Sequence, residues 1–423
     1  MSHYPCYHQR SYNIVKQMSV EIPVTDTAVS DIIDTNPIPE KYRHRTLINQ
    51  RYIYEKKIGS GSFGCVYRGK NVISGDNVAI KYEATTTNIP TLLWESKILN
   101  HLAGIQGVVK LRYYGTESNK NIIVMDLFSH TLCEEIAKIK TDSAITVIDK
   151  SSDATATKSA AASTDSSSAL SPDDEADILE PVSTSVPTQH SSSNDDDGKG
   201  VSGVSQTIHP AVMSAITSCK SMPSPLSISP HVKEVAKHLI SMIEIIGRIH
   251  EAGIVHRDIK PENFMLSGGG GGGSSGSSGD NRLHIIDFGL SRFYMKGDKH
   301  VVNTYDRTIV GTIRYISKHI HDGDVYSRRD DIISIIYVAI YLAKGKLPWM
   351  GMSPPKGDIR TKEDMVYDKK LKTTSEELCE GIPYLFQKLL DYSYSLEFED
   401  KPDYSYMIRQ CKNFLKIYLQ IQI

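Results

Sequence analysis

Apolar residues in this 423-residue chain change their spacing several times, and each change marks an element. RYIYEKKIG, from Arg51, reads as a strand ending at a glycine, and Cys65-Val66-Tyr67-Arg68 reads as a strand returning from it. Val78-Ala79-Ile80-Lys81 is a β-branched strand with a lysine where the pattern calls for an apolar residue. Leu92, Leu93, Ile98, Leu99 and Leu102 recur at helical spacing. NIIVMDLF, residues 121 to 128, is an apolar strand. From His231 the apolar positions Val232, Val235, Leu239, Met242, Ile243, Ile246 and Ile249 form one face of a long helix stopped near Gly253. The run Ile332 to Ala343 is apolar on every face except at Ser334, which predicts a buried central helix. Asp331, at its start, is placed to accept backbone hydrogen bonds at the helix N-terminus, with donors expected from the His256 loop.

Three stretches break this patterning. Residues 1 to 49 are polar, with Pro23, Pro37 and Pro39, and predict a largely disordered extension. Residues 141 to 230 contain no Phe, Trp or Tyr and are rich in Ser, Thr, Ala and Asp. Such a segment cannot bury enough apolar area to offset its conformational entropy, so a disordered insertion is expected, with VSQTIHPAVMSAITS its one candidate helix. Residues 267 to 279, SGGGGGGSSGSSG, predict a flexible tether, and residues 417 to 423 a short C-terminal end.

Composition narrows the class. The apolar fraction of 39% is low for a fully packed chain, which agrees with unpacked insertions. A formal net charge of -2 gives no basic field for nucleic acid or an anionic membrane. The six cysteines lie apart with no CxxC pair, which argues against a disulfide framework or zinc site. No apolar run is long enough to span a bilayer, and the N-terminus lacks an apolar signal core. The expectation is a monomeric chain in the cytoplasm, with the nucleus also open.

The candidate chemistry centres on His256-Arg257-Asp258-Ile259-Lys260-Pro261-Glu262-Asn263. There an aspartate can accept a proton, a lysine two residues on can reach a phosphate, and an asparagine five residues on can hold a metal. Asp287, with Phe288 and Gly289 behind it, follows the apolar LHII and is a second metal candidate; two oxygen ligands of this kind suit Mg²⁺. Gly59, Gly61 and Gly64 form GxGxxG, whose missing Cβ atoms let a backbone approach phosphates. In a Rossmann turn those glycines run into a helix; the returning strand at Cys65 favours a phosphate-covering flap. Lys81 is costly in an apolar strand unless its charge is paired, and Glu95 on the following helix is the proposed partner.

Taken together, residues 50 to 140 and 231 to 416 resemble the casein kinase 1 family of Ser/Thr protein kinases. The marks are IGSGSFG at 58 to 64, ESKI at 95 to 98, GTIRY at 311 to 315, SRRDD at 327 to 331, LPW at 347 to 349 and DKPDYSY at 400 to 406. The vaccinia-related and tau-tubulin kinases lack the SRRDD wording and rank second. The resemblance implies an α+β, two-lobed protein-kinase fold, with a small β-rich N-lobe, a larger helical C-lobe and ATP in the cleft. It implies γ-phosphoryl transfer from Mg-ATP to Ser or Thr of protein substrates with acidic or phosphorylated residues upstream. By position, Asp258 is the base and Lys260 the γ-phosphate lysine, and Asn263 and Asp287 hold Mg²⁺. Ile58, Gly59, Ser60, Gly61, Ser62, Phe63, Gly64, Cys65 and Val66, with Ala79, Lys81, Glu95 and Met125, would bind ATP. Thr312 would pack on the catalytic loop, and Arg314 would form part of an anion site.

Two departures bear on substrate choice. The family's SIN after the activation segment is Ser317-Lys318-His319 here, and the basic run after LPW is thinned to Lys356, Arg360 and Lys362. Fewer cations predict a smaller gain from substrate priming. Two rival readings remain: a pseudokinase scaffold binding partners through its insertion, and a small-molecule kinase. The first should lack Lys81, Asp258 or Asp287, and the second should lack GTIRY and SRRDD; all are present. Asp149, Asp165 and Glu180 each precede a serine by three residues, which suggests self-phosphorylation of the insertion.

Overall fold

The computed structural model describes residues 37–61, 64–87, 90–155, 228–268, 281–305, 308–355 and 358–420. Of the expected extension (1–49), insertion (141–230) and tether (267–279), residues 1–36, 156–227, with the candidate helix, and 269–279 lie outside that set, as do Ser62 and Phe63. The chain divides into two compact units, residues 1–146 with 222–423, and residues 147–221. Only the end of one helix in the second unit is among the described residues.

The first unit begins with a five-stranded antiparallel sheet in the order β1-β2-β3-β5-β4, built from β1 (Tyr52–Gly61), β2 (Gly64–Asn71), β3 (Asn77–Ala84), β4 (Leu111–Glu117) and β5 (Lys120–Asp126). Period-two alternation divides β3 between two cores. Val78 and Ile80 join Ile48, Tyr52, Ile122 and Val124 on one face. Ala79 faces the other way, into the large core that includes Leu92, Ile98, Leu99, Ile123 and Met125. Lys81, two residues on, shares that second face and so points toward helix α1 (Thr91–His101).

α1 starts without a capping side chain of its own, because Pro90 occupies the N-cap. Buried Glu83 does the work from β3: its carboxylate accepts the Thr91 N–H and hydroxyl at 3.0 Å each and the Leu92 N–H at 3.2 Å. A carboxylate on the open N–H groups of a helix also complements the helix dipole. Glu83 thereby sets the register in which Glu95 faces Lys81.

The rest of the unit is helical. α2 (Leu132–Thr155) follows the short strand β6 (His130–Thr131) and continues past the expected boundary at 140, since no Gly or Pro stands between Thr131 and Pro172 to stop it. α3 (Pro230–Glu251) buries Val232, Val235, Leu239, Met242, Ile243, Ile246 and Ile249, the face expected from their spacing. β7 (Ile254–Val255), β8 (Phe264–Leu266), β9 (Leu283–Ile285) and β10 (Arg292–Phe293) are short; β6, β8 and β9 form one sheet, and β10 pairs with β7. α4 (Lys318–Asp322) leads to α5 (Arg328–Lys344), whose residues Arg329 to Ile340 are all buried; Ser334 donates to the Asp330 carbonyl at 2.9 Å. α6 (Lys362–Lys372), α7 (Ser375–Cys379), α8 (Tyr384–Tyr394) and α9 (Tyr404–Gln420) complete the C-terminal part. Among the described residues no helix is long and apolar enough to cross a membrane, and Cys65, Cys133, Cys379 and Cys411 are free thiols.

Candidate active site

The glycine-rich segment is a hairpin: Gly59 pairs with Val66 and Gly61 with Gly64 across β1 and β2. The glycines therefore run into a strand, which removes the Rossmann alternative. Gly64 has φ +129°, and a Cβ there would lie 2.1 Å from the Tyr82 carbonyl oxygen, so no other residue fits. Under the hairpin is a cavity of about 210 Å³. Its lining includes Ile58, Gly64, Val66, Ala79, Lys81, Glu95, Met125 and Asp287 from the expected set. Met265 and Ile286 also line it, and sequence reasoning did not pick them out. A larger cavity of about 920 Å³ lies elsewhere, among Leu102, Ile105, Val109 and Ile245, and none of the candidate site residues lines it. Convergent polar groups, not volume, make the smaller one the candidate site.

Lys81 donates to Glu95 Oε2 at 2.8 Å and to Asp287 Oδ1 at 3.0 Å, so one ammonium joins β3, α1 and the segment after β9. Burial alone would favour neutral Lys81, but Glu95 and Asp287 outweigh it and hold its pKa above the ordinary lysine value. Burial also opposes ionisation of Asp287, and Lys81 overcomes it and keeps that carboxyl below its usual range. The second oxygen of Glu95 accepts the Phe288 N–H at 3.3 Å.

Asp258 is buried, and its two oxygens are separately engaged. Oδ1 accepts the Thr312 hydroxyl at 2.7 Å. Oδ2 accepts Lys260 Nζ at 2.5 Å and Asn263 Nδ2 at 3.3 Å. Asn263 Nδ2 also donates to the Asp258 carbonyl at 2.9 Å. The two clusters are tied through Ile286, whose N–H donates to the Asn263 carbonyl at 2.9 Å and whose carbonyl lies 3.2 Å from His256 Nε2.

The loop that carries Asp258 hangs from α5. Asp331 accepts the His256 N–H at 2.7 Å and the Arg257 N–H at 2.9 Å, the donors expected from its position at the head of a buried helix. His250 Nε2 lies 3.0 Å from the same carboxylate, and its Nδ1 lies 2.7 Å from the Tyr404 hydroxyl. Burial depresses the His250 pKa, so a neutral ring donates to Asp331 and accepts from Tyr404. Arg257 and Asp287 both have positive φ, 71° and 66°, at positions that are not glycine. Such strain costs about 1–3 kcal/mol per residue and persists only where surrounding bonds hold it.

The donor set suits a hard cation sharing its shell with a phosphate. Asn263 uses its amide nitrogen on Asp258, which leaves Oδ1 to offer, and Asp287 contributes carboxylate oxygen. Among the described residues no group of three or more His, Cys, Asp or Glu could hold a metal alone, so remaining positions would fall to phosphate oxygens and water, as Mg²⁺ prefers.

Arg314 lies with its guanidinium 5.7 Å from the ring centroids of both Tyr315 and Tyr341. The SRRDD residues each have a partner. Ser327 and Asp330 form the capping box of α5 and Arg329 binds Asp324 at 2.6 Å. Asp330 also accepts the Ser317 hydroxyl at 2.6 Å, and Arg328 binds the Glu399 carbonyl. Ser62 and Phe63 are outside the described residues, and Ser60 and Cys65 pair with each other across the hairpin. Glu83 was missed because its role as a cap is set by a strand packing on a helix, not by its neighbours in sequence.

A sheet lobe, a helical lobe and two linked polar clusters between them define a two-lobed phosphotransferase. The sequence model of the protein kinase domain matches residues 215–416. A protein kinase domain is therefore present; the match takes in the Asp258 and Asp287 segments and slightly under half of the chain.

Proposed function

We propose that this protein is a casein kinase 1-like Ser/Thr protein kinase, using Mg-ATP on Ser or Thr of acidic or primed protein substrates. The observation that carries the reading is the Asp258 carboxylate, one oxygen on Thr312 and the other on Lys260 and Asn263, beside a Lys81 ammonium bridging Glu95 and Asp287.

When bound, Mg-ATP supplies the transferable γ-phosphoryl group and metal neutralisation of its charge. The chain's own groups do the rest. Ile58, Val66, Ala79 and Met125 offer an apolar slot for the base. Lys81, kept in place by Glu95, would hold α- and β-phosphate oxygens. Asn263 and Asp287 would hold the cation. Asp258 accepts the hydroxyl proton of the substrate, and Lys260, bonded to that carboxylate at 2.5 Å, would steady the transferring charge.

GTIRY and SRRDD support the Ser/Thr, casein kinase 1-like assignment. Arg314 is the anchor for upstream acid or phosphate. Weak priming is also supported: Arg360, one of few cations after LPW, binds Asp358 through Nε and Nη2 and lies 3.5 Å from Asp368. A monomer in the cytoplasm remains the proposed setting. The test is label transfer from ATP with Mg²⁺ to casein and to matched acidic peptides carrying Ser, Thr or Tyr, each with and without an upstream phosphoserine. Phosphoserine and phosphothreonine products with similar primed and unprimed rates are expected. Tyrosine product alone, or a large primed advantage, would overturn the corresponding part of the reading.

A further inference from the structure

We propose that Lys370 is a positioning residue for the protein substrate, because its caged amino group holds the turn that carries Thr312 and Arg314. The proposal rests on the kinase reading above.

Lys370 sits in α6 within the sequence VYDKKLK, which by composition is a solvated face. Lys369 and Lys372 are indeed exposed, but Lys370 is 4% exposed. Its amino group donates to the Ile313 and Ile316 carbonyls at 2.7 Å each and lies 3.3 Å from His321 Nε2, and burial pushes its pKa well below the ordinary lysine value. The Trp349 and Tyr337 rings face it with centroids at 5.3 and 5.6 Å. Among the described residues no carboxylate pairs with it. An ammonium buried without counter-charge is costly, and an apolar side chain would fill an aromatic box at lower cost. The lysine is explained by the carbonyls it holds.

Those carbonyls belong to the turn that meets the base. Trp349 Nε1 donates to the Arg314 carbonyl at 2.8 Å, so Lys370 and Trp349 between them hold residues 313, 314 and 316. The Tyr315 and Ile316 N–H groups close the turn on the Thr312 carbonyl at 2.8 and 3.2 Å. Gly311, with φ +96°, passes so near the catalytic loop that a Cβ would lie 2.4 Å from the Arg257 carbonyl oxygen. Thr312 then reaches Asp258 Oδ1, and Arg314 is set over Tyr315 and Tyr341. Releasing the carbonyls lets the turn drift from the base without touching the Lys81 cluster.

The test uses the full chain with Lys370→Met, Lys370→Arg, Thr312→Ala and Lys370→Met/Thr312→Ala, measuring kcat and KM for an acidic serine peptide and KM for ATP. Lys370→Met should lower peptide kcat/KM about tenfold, the loss expected when two buried carbonyls lose their donor. KM for ATP should stay within about twofold, and Lys370→Arg should recover part of the loss. Joined to Thr312→Ala, the effect should be less than additive, because both act on one contact. Parallel loss of peptide and ATP parameters, full additivity, or wild-type peptide kinetics in Lys370→Met would overturn the proposal. If Lys370→Met does not fold, Trp349→Phe removes a single N–H to the turn and keeps a ring. It should cost about threefold in peptide kcat/KM with ATP unaffected, and no change there overturns the proposal too. Absence of transfer by the wild-type chain would instead sink the kinase reading itself.

Discussion

Asp331→Asn changes one carboxylate oxygen to an amide nitrogen at the junction of helix α5 and the catalytic loop. Asp331 is fully buried, with Oδ1 on the Arg257 N–H at 2.9 Å and Oδ2 on the His256 N–H at 2.7 Å. An asparagine can turn its carbonyl oxygen to His256, but its NH₂ group then faces the Arg257 N–H, donor against donor. A buried donor left unsatisfied costs about 1–3 kcal/mol. Loss of a negative charge at a helix N-terminus adds about 0.3–1 kcal/mol. The expected destabilisation is about 2–3 kcal/mol, or a Tm lowered by roughly 4–12 °C at about 2–4 °C per kcal/mol. Arg257, at φ 71°, loses one of the bonds that hold it strained, so turnover should fall more than stability alone explains. Burial pushes the Asp331 carboxyl up, but His250 and the loop N–H groups outweigh it and hold the pKa below 3.8. A depressed folded pKa means stability that is present above that value and lost as pH falls through the folded one. Thermal melts of wild type and Asp331→Asn from neutral pH downward measure both effects. A Tm within about 1 °C of wild type near neutrality would refute the argument that this carboxylate suspends the loop.

Other perturbations test neighbouring parts of the account. Lys81→Met should abolish transfer and leave Glu95 buried without its partner, lowering stability by about 3 kcal/mol; Lys81→Met with Glu95→Gln should recover much of that stability and none of the activity, by melts and peptide assay. Glu83→Gln weakens the cap of α1 by about 1 kcal/mol and should lower kcat with a small change in Tm, since Glu95 loses its fixed register. His319 and His321 are pushed down to about 4 and about 3, mainly by burial, so the unfolded chain takes up their protons first below its ordinary 6.5. Stability should therefore be full above that value and decline as pH falls toward about 4. The slope is up to ~1.4 kcal/mol per pH unit for each group, and His321→Gln should flatten it in denaturant titrations.

Features written in local pattern were legible in the sequence. An apolar run with no polar face can only be a central helix, and α5 is one. A lysine inside a β-branched strand demands a counter-charge, and Glu95 supplies it. Asp331 could be matched to the loop at His256 because an acid at the head of a buried helix is placed to accept backbone N–H groups. What stayed hidden depends on tertiary placement. Glu83 caps a helix from a neighbouring strand, and Lys370 is charged among charged neighbours until Trp349 and Tyr337 enclose it. Helix α2 runs into the start of the aromatic-free stretch, because low aromatic content argues against a packed core but not against a helix. Positive φ at Arg257 and Asp287 leaves no mark in residue type, since only glycine advertises it.

The central claim is that Asp258 serves as the base of a phosphoryl-transfer site, and single-turnover transfer tests it most directly. The intact chain and Asp258→Asn would be loaded with labelled ATP and Mg²⁺ and mixed with an acidic serine peptide. Nucleotide binding would be measured in the same samples. The account predicts equal nucleotide binding and a transfer rate lowered by at least about 10²-fold in the variant. Equal transfer rates, or ATP bound with no transfer by the intact chain, would contradict it.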